Sequence, residues 1–290
     1  MGGTVTGVGV TAQGLGLEGP RGWAFRGVSF DAEPGSLITI EGPSGTGRTC
    51  LLLALTGRMK LSEGAATVGD AVLPKRMAAV RRVSALAHVP GVTDLDPALT
   101  VAEHLHERAL LQRRFGDSLR GLLRPRAERR TEQKRRIDAA LTAAGVDLDA
   151  LPKGPRTAVR DLERMEALRL SIALALIGRP RLLGVDDTDL KLSDAERTEV
   201  WALLKSITEA GTTVMAVCRE APDGTVEVST QATDQPSSTR ETARASVSQE
   251  TDEPQQTEES QEAKEPQEAE ESRETDGKEA ADALAEARRA

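Results

Sequence analysis

The sequence predicts an α/β fold in which helices cover the faces of a mostly parallel β-sheet. Short β-rich segments alternate along the chain with longer segments of helical periodicity, a pattern typical of parallel sheets. A glycine-rich segment, residues 42–47, separates one predicted strand from one predicted helix. The chain has 290 residues, and its first 221 are enough for one domain with a sizeable core.

Four segments are predicted to form strands. Residues 27–32 alternate between apolar and polar side chains, which indicates a half-exposed strand. Residues 37–41 are apolar and β-branched, which indicates a buried strand. Residues 182–186 and 212–217 have the same character.

Five segments have helical periodicity. They are residues 49–57, 101–114, 126–144, 164–177 and 194–210. The stretch from about residue 100 to 165 contains no good strand pattern. It is therefore predicted to be a helical subdomain inserted into the α/β core.

The C-terminal segment differs sharply from the rest in composition. The net charge of the chain is −8, but residues 222–290 alone carry 19 acidic and 7 basic residues. They contain only four large apolar side chains, Val226, Val228, Val247 and Leu284. Such a segment cannot bury enough apolar surface to offset its ordering entropy. We expect a domain at residues 1–221 and a disordered, acidic, low-complexity tail at 222–290.

Two observations indicate a cytoplasmic protein. The longest apolar run, residues 170–177, is far shorter than the roughly 20 residues of a membrane span. The two cysteines, Cys50 and Cys218, form neither a disulfide framework nor a metal-binding pattern.

The segment 108–136 is strongly basic, with 11 basic and 3 acidic residues. A solvated helix surface is the favoured interpretation. Contact with anionic lipids, nucleic acid or the acidic tail is the alternative. Phe115 is the only aromatic residue in it, which argues against stacking on single-stranded nucleic acid, and no nucleic-acid partner is expected.

Residues 42–49 follow a predicted strand, precede a predicted helix and match the phosphate-binding pattern G-x-x-x-x-G-K-[ST] except at the lysine. They are Gly42, Pro43, Ser44, Gly45, Thr46, Gly47, Arg48 and Thr49. Glycines let backbone amides converge on phosphate oxygens, and the helix N-terminus adds partial positive charge. Arg48 would face the β- and γ-phosphates, although a planar guanidinium fits there less well than an ammonium. The alternative is a glycine-rich turn that binds no ligand.

A second acidic site follows the apolar segment 182–185. Strands of open α/β sheets deliver the residues that follow them to the ligand-binding edge. Asp186 is predicted to hold Mg²⁺ together with the Thr49 hydroxyl. Asp187 is predicted to orient or deprotonate an attacking water. Two solvated carboxylates at the end of a strand are the alternative.

Three collinear segments resemble an ATP-binding cassette (ABC) ATPase, the nucleotide-binding subunit type of ABC transporters. They are residues 25–64, 96–105 and 172–220, and the resemblance extends over about residues 5–220. It implies a P-loop NTPase core of the ABC-ATPase type with a helical subdomain, binding ATP and Mg²⁺. It also implies a membrane-embedded transporter subunit as partner, a cassette dimer that is homo- or heterodimeric, and peripheral association with the inner face of the membrane.

The resemblance assigns further residues to the site. Cys50 continues the phosphate loop into the helix. Trp23 is the candidate for stacking on adenine, with an ordinary core position as the alternative. Asp187 stands where the family has a catalytic glutamate, and Arg219 where it has a histidine. His88 lies nearest to the place of the family's glutamine. The signature motif falls at residues 162–166, where only Leu162 is retained.

These features lead to three functional hypotheses. The first is an ATP-hydrolysing cassette subunit that drives a separate membrane transport protein. The second is a non-hydrolysing ATP-binding regulatory or scaffold protein of the ABC type. The third, another P-loop enzyme such as a small-molecule kinase, is disfavoured because the cassette segments are collinear and no acceptor site is evident.

Overall fold

The structure is a computed structural model that describes residues 6–115, 126–188 and 192–231. The strands of the described residues are β1 (Val10–Gly19), β2 (Gly22–Ala32), β3 (Leu37–Glu41), β4 (Glu63–Val68), β5 (Ala71–Leu73), β6 (Ser84–Ala87), β7 (Leu182–Val185), β8 (Thr213–Val217) and β9 (Val226–Ser229). Their α-helices are α1 (Arg48–Leu55), α2 (Met77–Val83), α3 (Val101–Phe115), α4 (Arg126–Ala143), α5 (Arg164–Leu176) and α6 (Asp194–Glu209).

The strands form two sheets. Five parallel strands lie in the order β6–β7–β8–β3–β9, and four antiparallel strands lie in the order β2–β1–β4–β5. The parallel sheet with its helices confirms the predicted α/β fold. The antiparallel sheet was not predicted apart from residues 27–32, which belong to β2. Its strands β1 and β4 are rich in glycine and alanine, so they have little intrinsic strand preference and depend on their pairing.

The parallel sheet is buried on both faces. Leu182 and Met215 contribute to one apolar core, which includes α1 and the antiparallel sheet. Leu183, which follows Leu182, and Val214, which precedes Met215, contribute to the second core, which includes α5 and α6. Successive side chains of a strand point to opposite faces, so a strand covered on both sides is apolar throughout. This explains why the buried strands were recognisable from their sequence.

Helix α1 packs close to the parallel sheet because β7 contains Gly184. A Cβ atom there would lie 2.7 Å from Leu86 Cδ2 and 3.0 Å from Leu52 Cδ1. Leu52 belongs to α1 and is fully buried. The missing side chain therefore helps to set the position of the helix that follows the loop 42–47.

The chain between β6 and β7 forms α3, α4, two short 3₁₀ turns and α5, and no strand among its described residues. The start of α6 is fixed locally: the Glu196 carboxylate accepts hydrogen bonds from the backbone N–H of Ser193 (2.7 Å) and from its hydroxyl (2.6 Å). No helix in the described ranges combines the length and the apolar character that a membrane span requires.

The predicted boundary between domain and tail at residue 222 lies too early. Residues 226–229 form β9, which pairs in parallel with β3, and Val228 and Thr230 are buried. The composition of 222–290 concealed this strand because its few apolar residues were averaged with a long polar segment. The rest of the predicted tail, residues 232–290, lies outside the described residues.

This correction gives different expectations for two truncations. Ending the chain after Gln231 should leave the melting temperature nearly unchanged. Ending it after Ala221 removes β9 and exposes Ile38 and Ile40 of β3, which should cost on the order of 3 kcal/mol, or roughly 6–12 °C. Thermal unfolding of both chains followed by circular dichroism checks this. Equal melting temperatures would show that β9 contributes nothing to the fold.

Candidate functional site

The candidate site lies at the carboxyl edge of the parallel sheet. All five strands run in the same direction, so the residues that follow them meet at one edge. In sheet order these residues are His88, Asp186, Cys218, the loop 42–47 and Thr230. The sheet therefore brings together segments that are up to 188 positions apart in the sequence (from Gly42 to Thr230).

Three glycines with positive φ angles shape the loop 42–47. Gly42, Gly45 and Gly47 have φ angles of +136°, +87° and +79°, a region that other residues rarely adopt. Gly47 is the N-cap of α1, and no side chain caps this helix. The first amides of α1 are thus available to an anion, which the helix dipole also attracts.

Gly47 lies directly against the backbone of β2. A Cβ atom at this position would be 2.2 Å from the carbonyl oxygen of Ala24 and 2.7 Å from its carbonyl carbon. Since backbone atoms cannot move aside as a side-chain end can, only glycine fits here. The contact fixes the loop against the strand that carries Trp23.

A chain of hydroxyl groups ties the loop to the last strand. The Thr230 hydroxyl donates to the Thr46 hydroxyl at 2.9 Å, and the Thr46 hydroxyl donates to the carbonyl oxygen of Pro43 at 2.9 Å. Thr230 is buried, and its Oγ1 lies 3.8 Å from a Cβ built on Gly42. The residue after β9 thus supports the loop from the side opposite to Asp186.

Thr49 and Asp186 meet as the sequence predicts for a metal site. The Thr49 hydroxyl donates to a carboxylate oxygen of Asp186 at 2.6 Å. These two side chains offer the oxygen ligands that Mg²⁺ prefers. The described residues contain no group of three or more His, Cys, Asp or Glu side chains that could hold an ion alone. The arrangement therefore fits an ion that also takes oxygen ligands from a bound phosphate and from water.

The environment of Asp186 opposes its charge. Its side chain is buried, and burial raises the pKa of this carboxyl group above its ordinary value. The hydrogen bonds from Thr49 and from the backbone N–H of Asp187 (2.9 Å) act in the other direction, as does the charge of Arg48. A cation at this position would remove the electrostatic penalty.

Burial raises the pKa of the half-buried Cys50 thiol, and the charge of Asp186 raises it further.

The Arg48 side chain does not extend freely towards the open side of the loop. It is buried, and its guanidinium donates a hydrogen bond to the backbone carbonyl oxygen of Cys218, the residue after β8. The guanidinium therefore lies between the phosphate loop and the Asp186 strand. One Arg–carbonyl bond leaves donors that a phosphate group can use.

We expect Arg48→Ala to weaken nucleotide binding by about tenfold to hundredfold, since charge-assisted hydrogen bonds contribute about 1.5–3 kcal/mol each. Arg48→Lys keeps the cation and is the matched control. Isothermal titration with ATP checks the expectation, and an unchanged affinity in the Ala variant would contradict the role of Arg48.

Asp187 and His88 both follow neighbouring strands, β7 and β6, at the same edge. Both have positive φ angles, +48° and +49°, which are uncommon for residues other than glycine. Burial lowers the pKa of His88, with a smaller contribution from Arg164, while the carboxylates of Asp187, Asp186 and Asp94 act in the opposite direction. The backbone N–H of His88 donates to the Ser171 hydroxyl at 2.7 Å. His88 thus lies close enough to the half-buried Asp187, which is predicted to activate water, for the charge of that carboxylate to act on its ring.

Two other predicted residues and the signature segment have different surroundings. Arg219 is exposed, and it makes a contact within the protein. Trp23 lies in β2, 40% exposed, with the Arg26 guanidinium 4.6 Å from its ring centre. One ring face is thus already occupied, and adenine would have to use the other. The signature segment forms the start of α5, where the backbone N–H of Glu163 donates to the Glu166 carboxylate at 2.8 Å.

Sequence reasoning missed Ala24 and Thr230. Ala24 contributes only its backbone, which no side-chain pattern can reveal. Thr230 fell in the segment assigned to the tail. The pattern Val226-Glu227-Val228 before it alternates as a short strand does and is the signal that could have found it.

Comparisons with known proteins agree with this geometry. A family model described as "ABC transporter" matches residues 25–189. The chain is 31% identical over 194 residues to the Fe(3+) ions import ATP-binding protein FbpC of Streptomyces avermitilis, covering 67% of this chain and 50% of the relative. It is 28% identical over 193 residues to the cell division ATP-binding protein FtsE of Streptococcus pneumoniae, covering 66% and 76%. The chain thus spans about half the length of FbpC.

Solved structures show the same fold at low sequence identity. CbiO1 from Clostridium perfringens, part of the ABC transporter complex cbiONQ, has a TM-score of 0.58 at 18% identity, covering 73% of this chain and 78% of its own. The ATP-binding cassette MJ0796, solved as a dimer bound to ADP and Pi, has a TM-score of 0.53 at 20% identity, covering 73% and 88%.

Proposed function

This chain belongs to the ABC transporter family, and from that premise we propose that it is an ATP-binding cassette subunit that couples nucleotide binding and hydrolysis to a separate membrane transport protein. The observation that carries the proposal is the convergence of the phosphate loop, Thr49 and Asp186 at one sheet edge. The family binds ATP or ADP, and the binding of Mg²⁺ is part of the proposal.

Each residue of the site has a role in this proposal. The amides of residues 42–50 bind the phosphates, with Arg48 as the cation between the loop and β8. Thr49 and Asp186 hold Mg²⁺, which neutralises phosphate charge when bound. Asp187 orients the attacking water and accepts its proton. Trp23, which is 40% exposed, contacts the base with the ring face that Arg26 does not cover. Arg219 lies after β8, where it can contact the γ-phosphate.

A membrane partner has a surface to bind. Val92, Leu110 and Leu111 are three of the five exposed large hydrophobic side chains among the described residues. Val92 and Leu111 line a cavity of about 400 Å³ between α3, α5 and the loop after β6. Exposed apolar patches of this kind are typical of protein interfaces. We propose that the transporter subunit docks here and holds the chain at the inner face of the membrane, with a second cassette completing a dimer.

One observation favours a second candidate, a non-hydrolysing ATP-binding regulator of the ABC type. Glu163 and Glu166 replace the signature residues that would approach the γ-phosphate across a dimer, and Glu166 instead binds the backbone at the start of α5. A cassette dimer built from this chain alone would present carboxylates to the phosphate. A partner cassette with an intact signature motif would restore one working site.

Two measurements on the purified protein separate these candidates. ATP with Mg²⁺ should raise the melting temperature under both proposals. Phosphate release that Asp187→Asn lowers by about 100-fold or more supports the hydrolysing subunit. Binding without phosphate release, even with the membrane partner present, supports the regulator. If saturating ATP leaves the melting temperature unchanged, both candidates fail.

A further inference from the structure

A second cationic cavity lies at the opposite edge of the parallel sheet from the candidate nucleotide site. Its volume is about 630 Å³, and it lies beside the amino end of β6. Four arginines line it, Arg58, Arg81, Arg82 and Arg108. The other lining residues are uncharged: Ala78, Ser84, Ala85, Leu111, Gln112, Ala175, Gly178 and Pro180. The cavity thus concentrates four positive charges without a lining carboxylate.

Three of the arginines donate hydrogen bonds to neutral acceptors. The Arg58 guanidinium donates to the carbonyl oxygen of Thr56 at 2.7 Å and to the Ser84 hydroxyl at 3.0 Å. Arg81 donates to the carbonyl oxygen of Gly57 at 2.7 Å, and Arg108 to that of Leu174 at 3.1 Å. Within the described ranges none of the four forms an ion pair. These bonds help to orient the guanidinium groups of Arg58, Arg81 and Arg108, and each group has further N–H donors.

The missing counter-charge has an electrostatic cost. Burial, with smaller contributions from the charges of Arg81 and Arg108, lowers the pKa of Arg58 to about 10. Burial also lowers the pKa of Arg108. Charges taken partly out of water are normally paired or hydrogen-bonded to charged partners. A bound anion would therefore stabilise the arginine cluster.

We propose that this cavity, named here the arginine site, binds a compact phosphate-bearing anion. Guanidinium groups match phosphate oxygens with paired, parallel hydrogen bonds. A phosphate group carries up to two negative charges and three acceptor oxygens on one centre. Two phosphate groups can therefore neutralise four arginines within a small volume. The source is either a soluble phosphate compound or the headgroup of an anionic phospholipid.

The arginine site is separate from the phosphate loop. Arg58 follows the carboxyl end of α1, whereas the loop precedes its amino end, and the eight-residue helix lies between them. The helix spans about 12 Å. The proposal therefore requires neither nucleotide hydrolysis nor the membrane partner.

The test uses the full chain saturated with a non-hydrolysable ATP analogue, so that the phosphate loop is filled. Pyrophosphate binding is measured calorimetrically for wild type and for the double variant Arg81→Gln/Arg82→Gln. Both arginines are exposed, so their replacement leaves the core intact. We expect pyrophosphate to bind wild type and to lose at least tenfold in affinity in this variant. Arg130→Gln/Lys134→Gln removes the same charge from the exposed surface of α4 and should bind like wild type.

Sedimentation with phospholipid vesicles distinguishes the two sources. Binding to phosphatidylglycerol vesicles but not phosphatidylcholine vesicles, lost in the Arg81/Arg82 variant, identifies a lipid headgroup. Pyrophosphate binding without vesicle binding identifies a soluble phosphate. If the proposed function is wrong, the ATP analogue will not bind to the wild-type chain. Pyrophosphate binding by wild type and by the variants can still be compared in that case.

Three outcomes would overturn the proposal. The first is that neither pyrophosphate nor the vesicles distinguish the Arg81/Arg82 variant from wild type. The second is an equal loss in the α4 control, which would indicate diffuse surface charge. The third is that citrate binds as tightly as pyrophosphate, which would make the site selective for charge and not for phosphate.

Discussion

Asp186→Asn is expected to abolish the Mg²⁺ dependence of nucleotide binding and to reduce phosphate release by on the order of 100-fold. The carboxylate accepts the Thr49 hydroxyl at 2.6 Å and is the buried acid nearest to the phosphate loop. Asparagine has nearly the same shape but no charge, so it can still accept one hydrogen bond while binding a cation far less well. The melting temperature with nucleotide, measured with Mg²⁺ and with a chelator, reports the effect.

The neighbouring residue supplies a matched control. Asp187→Asn removes the same charge from a half-buried side chain at the next position. It should keep the Mg²⁺ dependence of binding and lose hydrolysis. The metal assignment is wrong if the Asp187 variant loses the Mg²⁺ dependence instead, or if the Asp186 variant retains it.

The pH dependence of stability gives a second readout for Asp186. Its folded pKa is raised, mainly by burial, so the folded state binds a proton more tightly than the unfolded state. As pH falls through the folded pKa towards the ordinary value of 3.8, wild type loses the cost of its buried charge. Asp186→Asn has no such charge. The melting temperature of wild type relative to this variant should therefore rise with falling pH, and a constant difference would contradict the burial argument.

Gly47→Ala is expected to eliminate the nucleotide-induced rise in melting temperature and to destabilise the free protein. The new Cβ atom would lie 2.2 Å from the carbonyl oxygen of Ala24. It would also occupy a φ of +79°, which costs on the order of 1–2 kcal/mol for a residue with a Cβ atom. The loop must move away from β2, so its amides no longer converge on the phosphates. Nucleotide titration followed by thermal unfolding measures both effects.

Gly224→Ala separates the clash from the backbone strain. Gly224 has a φ of +80°, and no atom lies within 4 Å of a Cβ atom built there. The stability of this variant should fall only by the cost of the backbone strain, and its nucleotide binding should be unchanged. Similar losses in the two variants would show that the contact with Ala24 is unimportant.

Much of the parallel part of the fold could be predicted from sequence. Strand β3 has the predicted bounds, and α3 to α6 begin at the predicted residues. These elements have strong local signals: buried strands are apolar throughout, and α6 has Ser193 and Glu196 at its start. The antiparallel sheet and β9 lack such signals, because their short or glycine-rich strands are specified by pairing with distant residues.

The candidate site shows the same division. The glycines of the loop, Thr49 and Asp186 were recognisable because each residue type has a chemical reason to be there. The carbonyl partner of Arg48, the contact of Gly47 with Ala24 and the support of Thr46 by Thr230 were not. Two of these contacts use the backbone of the partner, whose side chain carries no information about the bond.

The amino-acid sequence by itself determined which groups this protein can offer to a ligand: a glycine-rich loop, an acid and a hydroxyl with oxygens of the kind that Mg²⁺ prefers, and an arginine in place of the expected lysine. Only the tertiary structure decided which groups meet, because five parallel strands bring distant segments to one edge. It also placed Arg58 and Arg108, 50 positions apart, in one cavity. Local patterns reflect interactions between neighbours in the chain, whereas a site depends on contacts between residues that only the packed sheet brings together.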